Sequence, residues 1–188
     1  MSFYLRMGMR SIAIGHNALK TPRSKSRSLF AGVVFIALLV SAIASVGCTQ
    51  QEIYETDTAR GLNDLRAANG LPPLPVDATL SYVARLRAED MARNAYFSHM
   101  PPDGCDYRCL FERHGVQTNS WIGEVIAWNN YPPKQSVATT VQMWRDSPGH
   151  FAVITNQCFT RMGAGVATAP DGKIYYAAVF EGISPACR

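Results

Sequence analysis

The chain of 188 residues has no acidic residue before Glu52, although six basic residues precede it. Between these basic residues and Glu52, residues 29–46 form an uncharged run of apolar and small side chains. A basic start, an apolar run and small residues before a cleavage point are typical of an export signal. We therefore predict that residues 1–47 are an export signal and do not belong to the fold.

The apolar run ends in Ser45-Val46-Gly47-Cys48, which resembles the end of a bacterial lipoprotein signal. In such signals the cysteine carries lipid and becomes the N-terminus. This resemblance predicts lipidation of Cys48, a linker over residues 48–57, and a membrane-anchored protein of the cell envelope. Two alternatives stay open. The run is just long enough to remain as an uncleaved membrane anchor, or a peptidase cuts near Gly47 and the protein is secreted.

Beyond Gly47 the chain lacks an excess of positive charge. Of the 18 basic residues only 12 lie there, together with all 14 acidic residues, so the formal net charge of this part is −2 with histidine neutral. The net charge of +4 for the whole chain therefore comes from the export signal. Without a basic stripe, the electrostatic footprint of a nucleic-acid-binding protein is missing. We expect no nucleic-acid partner.

Cysteines are few, and their number fits an oxidising compartment. The chain contains Cys48, Cys105, Cys109, Cys158 and Cys187. If Cys48 takes lipid, an even number remains and three pairings are possible. Cys105 and Cys109 are one helical turn apart, within reach of a local bridge, while Cys158 and Cys187 flank a predicted hairpin. We favour Cys105–Cys109 with Cys158–Cys187 over the other pairings and over a zinc–thiolate site, since there is no second closely spaced cysteine pair.

The remaining 141 residues are enough for one domain, with helices first and strands last. Spacing and turn signals predict helices over 58–69, 77–95, 106–114 and 137–144, and strands over 121–128, 162–168 and 173–180. Helices segregated from a hairpin-built sheet indicate an α+β fold and not repeated βαβ units. In the second helix, we expect an outward face formed by Arg85, Arg87 and Glu89.

Two places in this order could carry chemistry. Glu124 interrupts an apolar strand, where a carboxylate is costly unless it is paired, and a histidine is its natural partner. The alternative, that Glu124 points outward to an arginine or to solvent, stays open. Pro148 ends a helix and Gly149 allows unusual backbone angles, so we expect His150 at the end of a forced turn. His99 also follows an element end, whereas His114, at a helix C-terminus, suits a structural role.

These residues resemble the CAP superfamily, the cysteine-rich secretory, antigen 5 and pathogenesis-related 1 proteins, in its bacterial SCP-like branch. The resemblance covers residues 62–182 and is carried in order by Phe97-Ser98-His99, Gly123-Glu124, Trp144 with Ser147-Pro148-Gly149-His150, and Gly163-Ala164-Gly165-Val166. It implies a three-layer α-β-α sandwich over residues 58–188, with a C-terminal β-hairpin and an open cleft.

The resemblance also implies which side chains line the cleft: His99, Glu124, Trp144, Ser147 and His150. Of these, the two histidines and Glu124 would hold a divalent metal such as zinc, as in some family members. The chain departs from the family in several places. Many eukaryotic members of the family have a second acidic residue in the cleft, and it has no clean counterpart here. Ser147 lies near its place, and Asp146 is the nearest carboxylate. Apolar residues replace common polar ones at Val125, Phe151 and Ala178, which predicts a less polar cleft.

Three functions agree with these observations. We favour an exported, membrane-anchored protein whose cleft binds a small apolar or envelope-derived ligand such as a lipid, a peptide or a glycan. The second is a metal-dependent hydrolase of the envelope that uses His99, Glu124 and His150. The third is a disulfide-stabilised interaction module without catalysis. Binding is favoured over turnover because the three residues form no local hydrolase motif and no separate general base is evident.

Overall fold

A computed structural model describes residues 49–116 and 121–182 of the chain. These ranges contain five helices and three strands: α1 (Gln50–Ala68), α2 (Ala78–Asn94), α3 (Tyr107–Arg113), β1 (Trp121–Asn129), α4 (Pro133–Asp146), α5 (Pro148–Ile154), β2 (Arg161–Thr168) and β3 (Ile174–Gly182). Within the described ranges, no helix is long and apolar enough to cross a membrane. The predicted export signal, Cys48 and Cys187 lie outside the described residues.

The three strands form one antiparallel sheet in the order β1–β3–β2. The central strand β3 is buried along its whole length. Strands β2 and β3 are the predicted C-terminal hairpin, closed by a turn in which the amide of Ala169 donates to the carbonyl of Lys173 at 2.8 Å and Gly172 has φ of 84°. A positive φ favours glycine at this position. The edge strands are therefore β1 and β2, and Met162 of β2 also forms a parallel bridge with Val76.

Helices cover both faces of the sheet, so the predicted α-β-α sandwich is confirmed. Successive strand residues point to opposite faces, and those of β3 divide accordingly. One face packs against α1, α4 and α5 and includes Tyr176, Ala178 and Phe180. The other face packs against α2 and α3 and includes Tyr175, Ala177 and Val179. The core is thus split into two apolar clusters by the sheet.

Helix α1 begins within the segment predicted as a linker. Residues 50–57 are helical, so that prediction is wrong for most of residues 48–57. The reason is a capping box, in which the Thr49 hydroxyl accepts from the amide of Glu52 at 3.2 Å and the Glu52 carboxylate accepts from the amide of Thr49 at 2.7 Å. The buried ring of Tyr54 adds packing to this first part of the helix.

The segment that follows α4 is helical where a turn was expected. Pro148 does end α4, yet it also occupies the first position of α5, where proline is favoured because its fixed φ suits a helix start. Gly149 is helical and His150 lies in the first turn of α5. The prediction that His150 ends a forced turn is therefore wrong, because the proline that stops one helix starts the next.

The disulfide between Cys105 and Cys109 is present, with the two Cα atoms 5.1 Å apart. It joins the loop before α3 to the first turn of that helix, which Asp106 caps by accepting from two backbone amides. The Cys158–Cys187 pairing stays a prediction, since Cys187 is not among the described residues.

Arg66 of α1 is a second point where distant segments are joined. Its side chain is fully buried, and its guanidinium donates to the carbonyls of Ile154 at 2.7 Å, Asn156 at 3.0 Å and Pro72 at 3.1 Å. Burial lowers the pKa of Arg66. The residue therefore ties α1 to the end of α5 through carbonyl acceptors.

Helix α2 lies directly on β2 because two glycines of that strand carry no side chain. A Cβ at Gly163 would be 2.1 Å from the amide nitrogen of Ser81, and one at Gly165 would be 2.0 Å from that of Arg85. Both contacts are with backbone, which cannot move aside as a flexible side chain could. This close approach fixes the position of α2 and of the side chains that it carries, Arg87 among them.

We predict that Gly165→Ala lowers the free energy of unfolding by about 1–3 kcal/mol or more, because the methyl group forces α2 away from the sheet. Gly149→Ala is the matched control: the position is helical with no atom within 4 Å of the added Cβ, so we expect stabilisation by about 0.4–1 kcal/mol. Urea unfolding of both variants measures the difference. Equal stability of the two would contradict the close approach of α2 and β2.

Candidate functional site

Glu124 lies on β1 and points toward α2, with its side chain completely buried. Its Oε1 accepts from Nε of Arg87 at 2.8 Å, and its Oε2 is 2.7 Å from Nδ1 of His99. Glu124 is therefore buried and paired with a histidine and with an arginine, and the alternative that it points outward is wrong. Glu124 is thus the partner of His99, and its part in coordinating a metal stays a prediction. In the part of the chain that is described, no group of three His, Cys, Asp or Glu side chains is placed to hold a metal ion.

Arg87 faces inward, contrary to the prediction that it is part of an outward face. Its side chain is 1% exposed. Burial lowers the pKa of Arg87, but the charge and hydrogen bond of Glu124 outweigh burial, so the pKa is raised. The sequence did contain the signal: Arg87 is seven residues after Leu80 and four before Met91, on the same helical face as these core residues. Arg87 was expected on the outward face because it is charged, although its spacing is that of a core residue.

His99 is the exposed end of this buried group. It follows Ala95, which ends α2 with a left-handed φ of 53°, and its side chain is 54% exposed. A carboxylate can only accept a hydrogen bond. A neutral His99 beside Glu124 therefore carries its hydrogen on Nδ1 and leaves the lone pair of Nε2 available.

His150 lies in the first turn of α5, which packs against the face of the sheet opposite to α2. Its Nδ1 is 2.9 Å from the hydroxyl of Ser147, the residue that precedes α5. Burial, and then the nearby charge of His99, lower the pKa of His150. The imidazole is consequently neutral near pH 7. The structure thus brings together His99, Glu124, Ser147 and His150, and in both histidines Nδ1 is engaged by the protein while Nε2 is the remaining ring nitrogen.

Two residues near this group do not line the cleft. Trp144 is 1% exposed and belongs to the core cluster that includes Tyr176. Its indole N–H donates to the carbonyl of Ile126 at 3.0 Å, so it holds α4 against β1, and its predicted place in the cleft wall is wrong. The carboxylate of Asp146 is 59% exposed and accepts from Gln142 and Arg145.

The apolar replacements also lie elsewhere than predicted. Val125 and Ala178 face each other across β1 and β3 and point into the core beneath α1 and α4, and Phe151 packs against the same core. Val125 does not line the cleft, because residues 124 and 125 point to opposite faces of the sheet.

Exposed apolar side chains also lie beside His99 in the loop after α2. Phe97 is 48% exposed and Met100 58% exposed. Phe97 also forms one wall of a groove of about 370 Å³, whose other large side chains are Trp128, Tyr131 and Met143. The groove thus combines side chains from two loops, β1 and α4.

Comparison with known proteins identifies a family and several relatives. Residues 60–180 match the model of the cysteine-rich secretory protein family, CAP. The chain is similar to the uncharacterized protein YkwD of Bacillus subtilis (strain 168), with 32% identity over 125 residues that cover 66% of this chain and 45% of that protein. It is also 32% identical over 113 residues to the uncharacterized membrane protein YlbC of the same organism, covering 60% of this chain and 30% of that protein. The match thus spans less than half the length of these relatives.

Solved structures share the fold. A crystal structure of an extracellular protein containing an SCP domain from Bacillus anthracis strain Ames has a TM-score of 0.61 and 26% identity, and the match covers 70% of this chain and 41% of that one. An outer surface protein from Borrelia burgdorferi has a TM-score of 0.56 and 20% identity, over 67% of this chain and 90% of that one.

The lowered pKa of His150 predicts how stability depends on pH. In the unfolded chain this histidine titrates near its ordinary pKa of 6.5, so as the pH falls the unfolded chain takes up the proton before the folded one. The stability contributed by neutral His150 is present above about pH 6.5 and is lost as the pH falls below it. Between pH 7.5 and pH 5, urea unfolding should show a larger loss of stability for the wild type than for His150→Gln. Parallel losses would contradict this prediction.

Proposed function

Because the chain belongs to the cysteine-rich secretory protein family, CAP, we propose that it is an exported protein of the bacterial cell envelope whose cleft at His99 and His150 binds a small envelope-derived ligand. Export is supported by the charge pattern of residues 1–47 and by similarity to a protein described as extracellular. Lipid on Cys48 would anchor the protein to the membrane. The C-terminal part from α1 onward would then lie outside the membrane.

The binding site is proposed from one observation: the fully buried ion pair of Arg87 and Glu124 contacts the half-exposed imidazole of His99. Burying Arg87 and Glu124 requires the loss of hydration of both charges, and such a pair is not an efficient way to stabilise a fold. The pair contacts the half-exposed ring of His99 at 2.7 Å. An exposed side chain held by a buried charge network is oriented for an external partner.

The chemistry of the cleft defines the ligand. Nε2 of a neutral His99 offers a lone pair, so it accepts a hydrogen bond from a hydroxyl, an amide or an amine. Phe97 and Met100 beside it offer exposed apolar surface. A ligand that combines an apolar portion with hydrogen-bond donors fits both features, as do lipids with hydroxyl groups and the glycan and peptide fragments of an envelope.

Binding without turnover is the simpler function for this arrangement. The acid that would serve as a general base, Glu124, is shielded from solvent and accepts hydrogen bonds with both oxygens. A general base must reach the proton that it removes. This supports a binding protein over the hydrolase alternative.

A divalent cation is the second candidate for the same place. Histidines that coordinate zinc commonly donate their other ring N–H to a carboxylate, and His99 has this contact with Glu124. A cation there would be held by Nε2 of His99, and by Nε2 of His150 in the tautomer that donates from Nδ1 to Ser147, with Glu124 orienting the first ring. Bound there, a cation would supply Lewis-acid chemistry, while the chain's own residues bind it and fix the ring orientation.

We expect the wild type to bind at least one of three probes in calorimetry: monolaurin, muramyl dipeptide or zinc chloride. The His99→Ala/His150→Ala double variant should bind that probe at least about 10-fold more weakly, the loss expected when a hydrogen bond of about 1.4 kcal/mol is removed. His114→Ala, which changes the histidine that ends α3, is the matched control and should bind as the wild type does. Equal binding by the double variant, or no binding by the wild type, would refute the proposal.

The anchor is tested separately. Protein extracted from bacterial membranes should begin at Cys48 and carry acyl mass in intact mass spectrometry, whereas Cys48→Ser should remain uncut and unacylated. An unmodified N-terminus elsewhere, or an intact residue 1–47 segment in the wild type, would show secretion or an uncleaved anchor instead.

A further inference from the structure

We propose that Arg87 is the positioning residue of the cleft: one buried guanidinium sets both the backbone position and the ring tautomer of His99. This inference rests on the proposed role of His99 in binding. It concerns a residue that contacts no solvent and would touch no ligand.

Every nitrogen of the Arg87 guanidinium is engaged, and each contact leads toward His99. Nε donates to Oε1 of Glu124 at 2.8 Å and Nη1 donates to the hydroxyl of Tyr96 at 3.0 Å. Nη2 donates to two backbone carbonyls, those of Ser98 at 2.9 Å and His99 at 3.1 Å. Arginine offers five donors in a rigid planar fork, and this fork joins α2, β1 and the loop that carries His99.

The loop needs such a fixed point because it has no regular structure of its own. Residues 96–99 follow the left-handed Ala95 and belong to no helix or strand. Tyr96 anchors the start of the loop, since its hydroxyl donates to the carboxylate of Asp90 while accepting from Arg87. Burial and then the bond to Asp90 raise the pKa of Tyr96 to about 12, so this hydroxyl keeps its proton. The two carbonyl contacts of Arg87 fix the end of the loop.

The ring of His99 is fixed through Glu124. Arg87 occupies Oε1, and this leaves Oε2 turned toward Nδ1 of His99. If Arg87 is removed, the carboxylate loses the contact that orients it and the loop loses two of its backbone bonds. The imidazole then relaxes toward the tautomer that prevails for free histidine in water, with the hydrogen on Nε2. That tautomer turns the nitrogen facing the cleft from an acceptor into a donor.

The test is ¹⁵N NMR of the exported protein labelled at histidine, at a pH where the imidazoles are neutral. The wild type should show His99 with its hydrogen on Nδ1. In Arg87→Met the ratio of the Nδ1–H to the Nε2–H form should fall at least about 10-fold, a change of about 1.4 kcal/mol. Arg87→Lys, which keeps the charge but not the fork, should retain Nδ1–H as the major form and lie between the two.

Arg66→Met is the matched control. Arg66 is equally buried and also bonds to carbonyls, but it lies on α1 and contacts the end of α5. It should lower the urea midpoint without changing the tautomer of His99. An unchanged tautomer in folded Arg87→Met, or the same change in Arg66→Met, would overturn the proposal. If Arg87→Met does not fold, wild-type spectra from Arg87→Lys would overturn it.

Because the readout needs no ligand, it separates this inference from the proposed function. A tautomer that follows Arg87 in a protein that binds none of the three probes would support the positioning role and refute the binding function. If binding is lost in the double histidine variant but the tautomer of His99 is the same in Arg87→Met as in the wild type, the binding function is supported and the positioning role is refuted.

Discussion

The site depends on one buried ion pair, between Arg87 and Glu124. Neither side chain reaches solvent, so each charge requires the other, and removing one partner of such a pair costs about 3–5 kcal/mol. The pair also joins two layers of the sandwich, since Arg87 lies on α2 and Glu124 on β1. The position of His99 follows from it, because that residue has no helix or strand of its own to hold it.

The packing of α2 against the sheet makes this pair possible. At Gly163 and Gly165 the backbone of α2 lies where a Cβ would stand. A shift of α2 toward the sheet would cause a collision, and a shift away from it would break the contact. A rigid helix places the Arg87 fork opposite the Glu124 carboxylate within hydrogen-bond distance. The glycines of β2 thus act on a site at the other edge of the sheet, through the helix that crosses it.

The other wall of the cleft is built from a different layer. Trp144 holds α4 to the edge strand β1, and the Pro148 that ends α4 starts α5, which carries His150. The two histidines therefore come from elements on opposite faces of the sheet, and the charge of His99 is close enough to lower the pKa of His150. Such a cleft combines rigid supports with the half-exposed imidazole of His99, an arrangement suited to recognition by the lone pair of its Nε2.

By itself, the sequence determined most of the order of helices and strands, the α+β class, the hairpin, the Cys105–Cys109 bridge and the need of Glu124 for a partner, because these follow from local spacing, turn residues and the cost of an unpaired carboxylate. That His99 shares the cleft with Glu124 was what the resemblance implied. The tertiary structure decided what each side chain faces. Arg87 had the spacing of a core residue but the charge of a surface one, and only a partner 37 residues away made its burial possible. The resemblance placed Trp144 in the cleft, and Val125 directly follows the site residue Glu124, yet both side chains point into the core. The direction of a side chain depends on which layer packs against its element. The cleft around His99 and His150 is thus a property of how the layers meet.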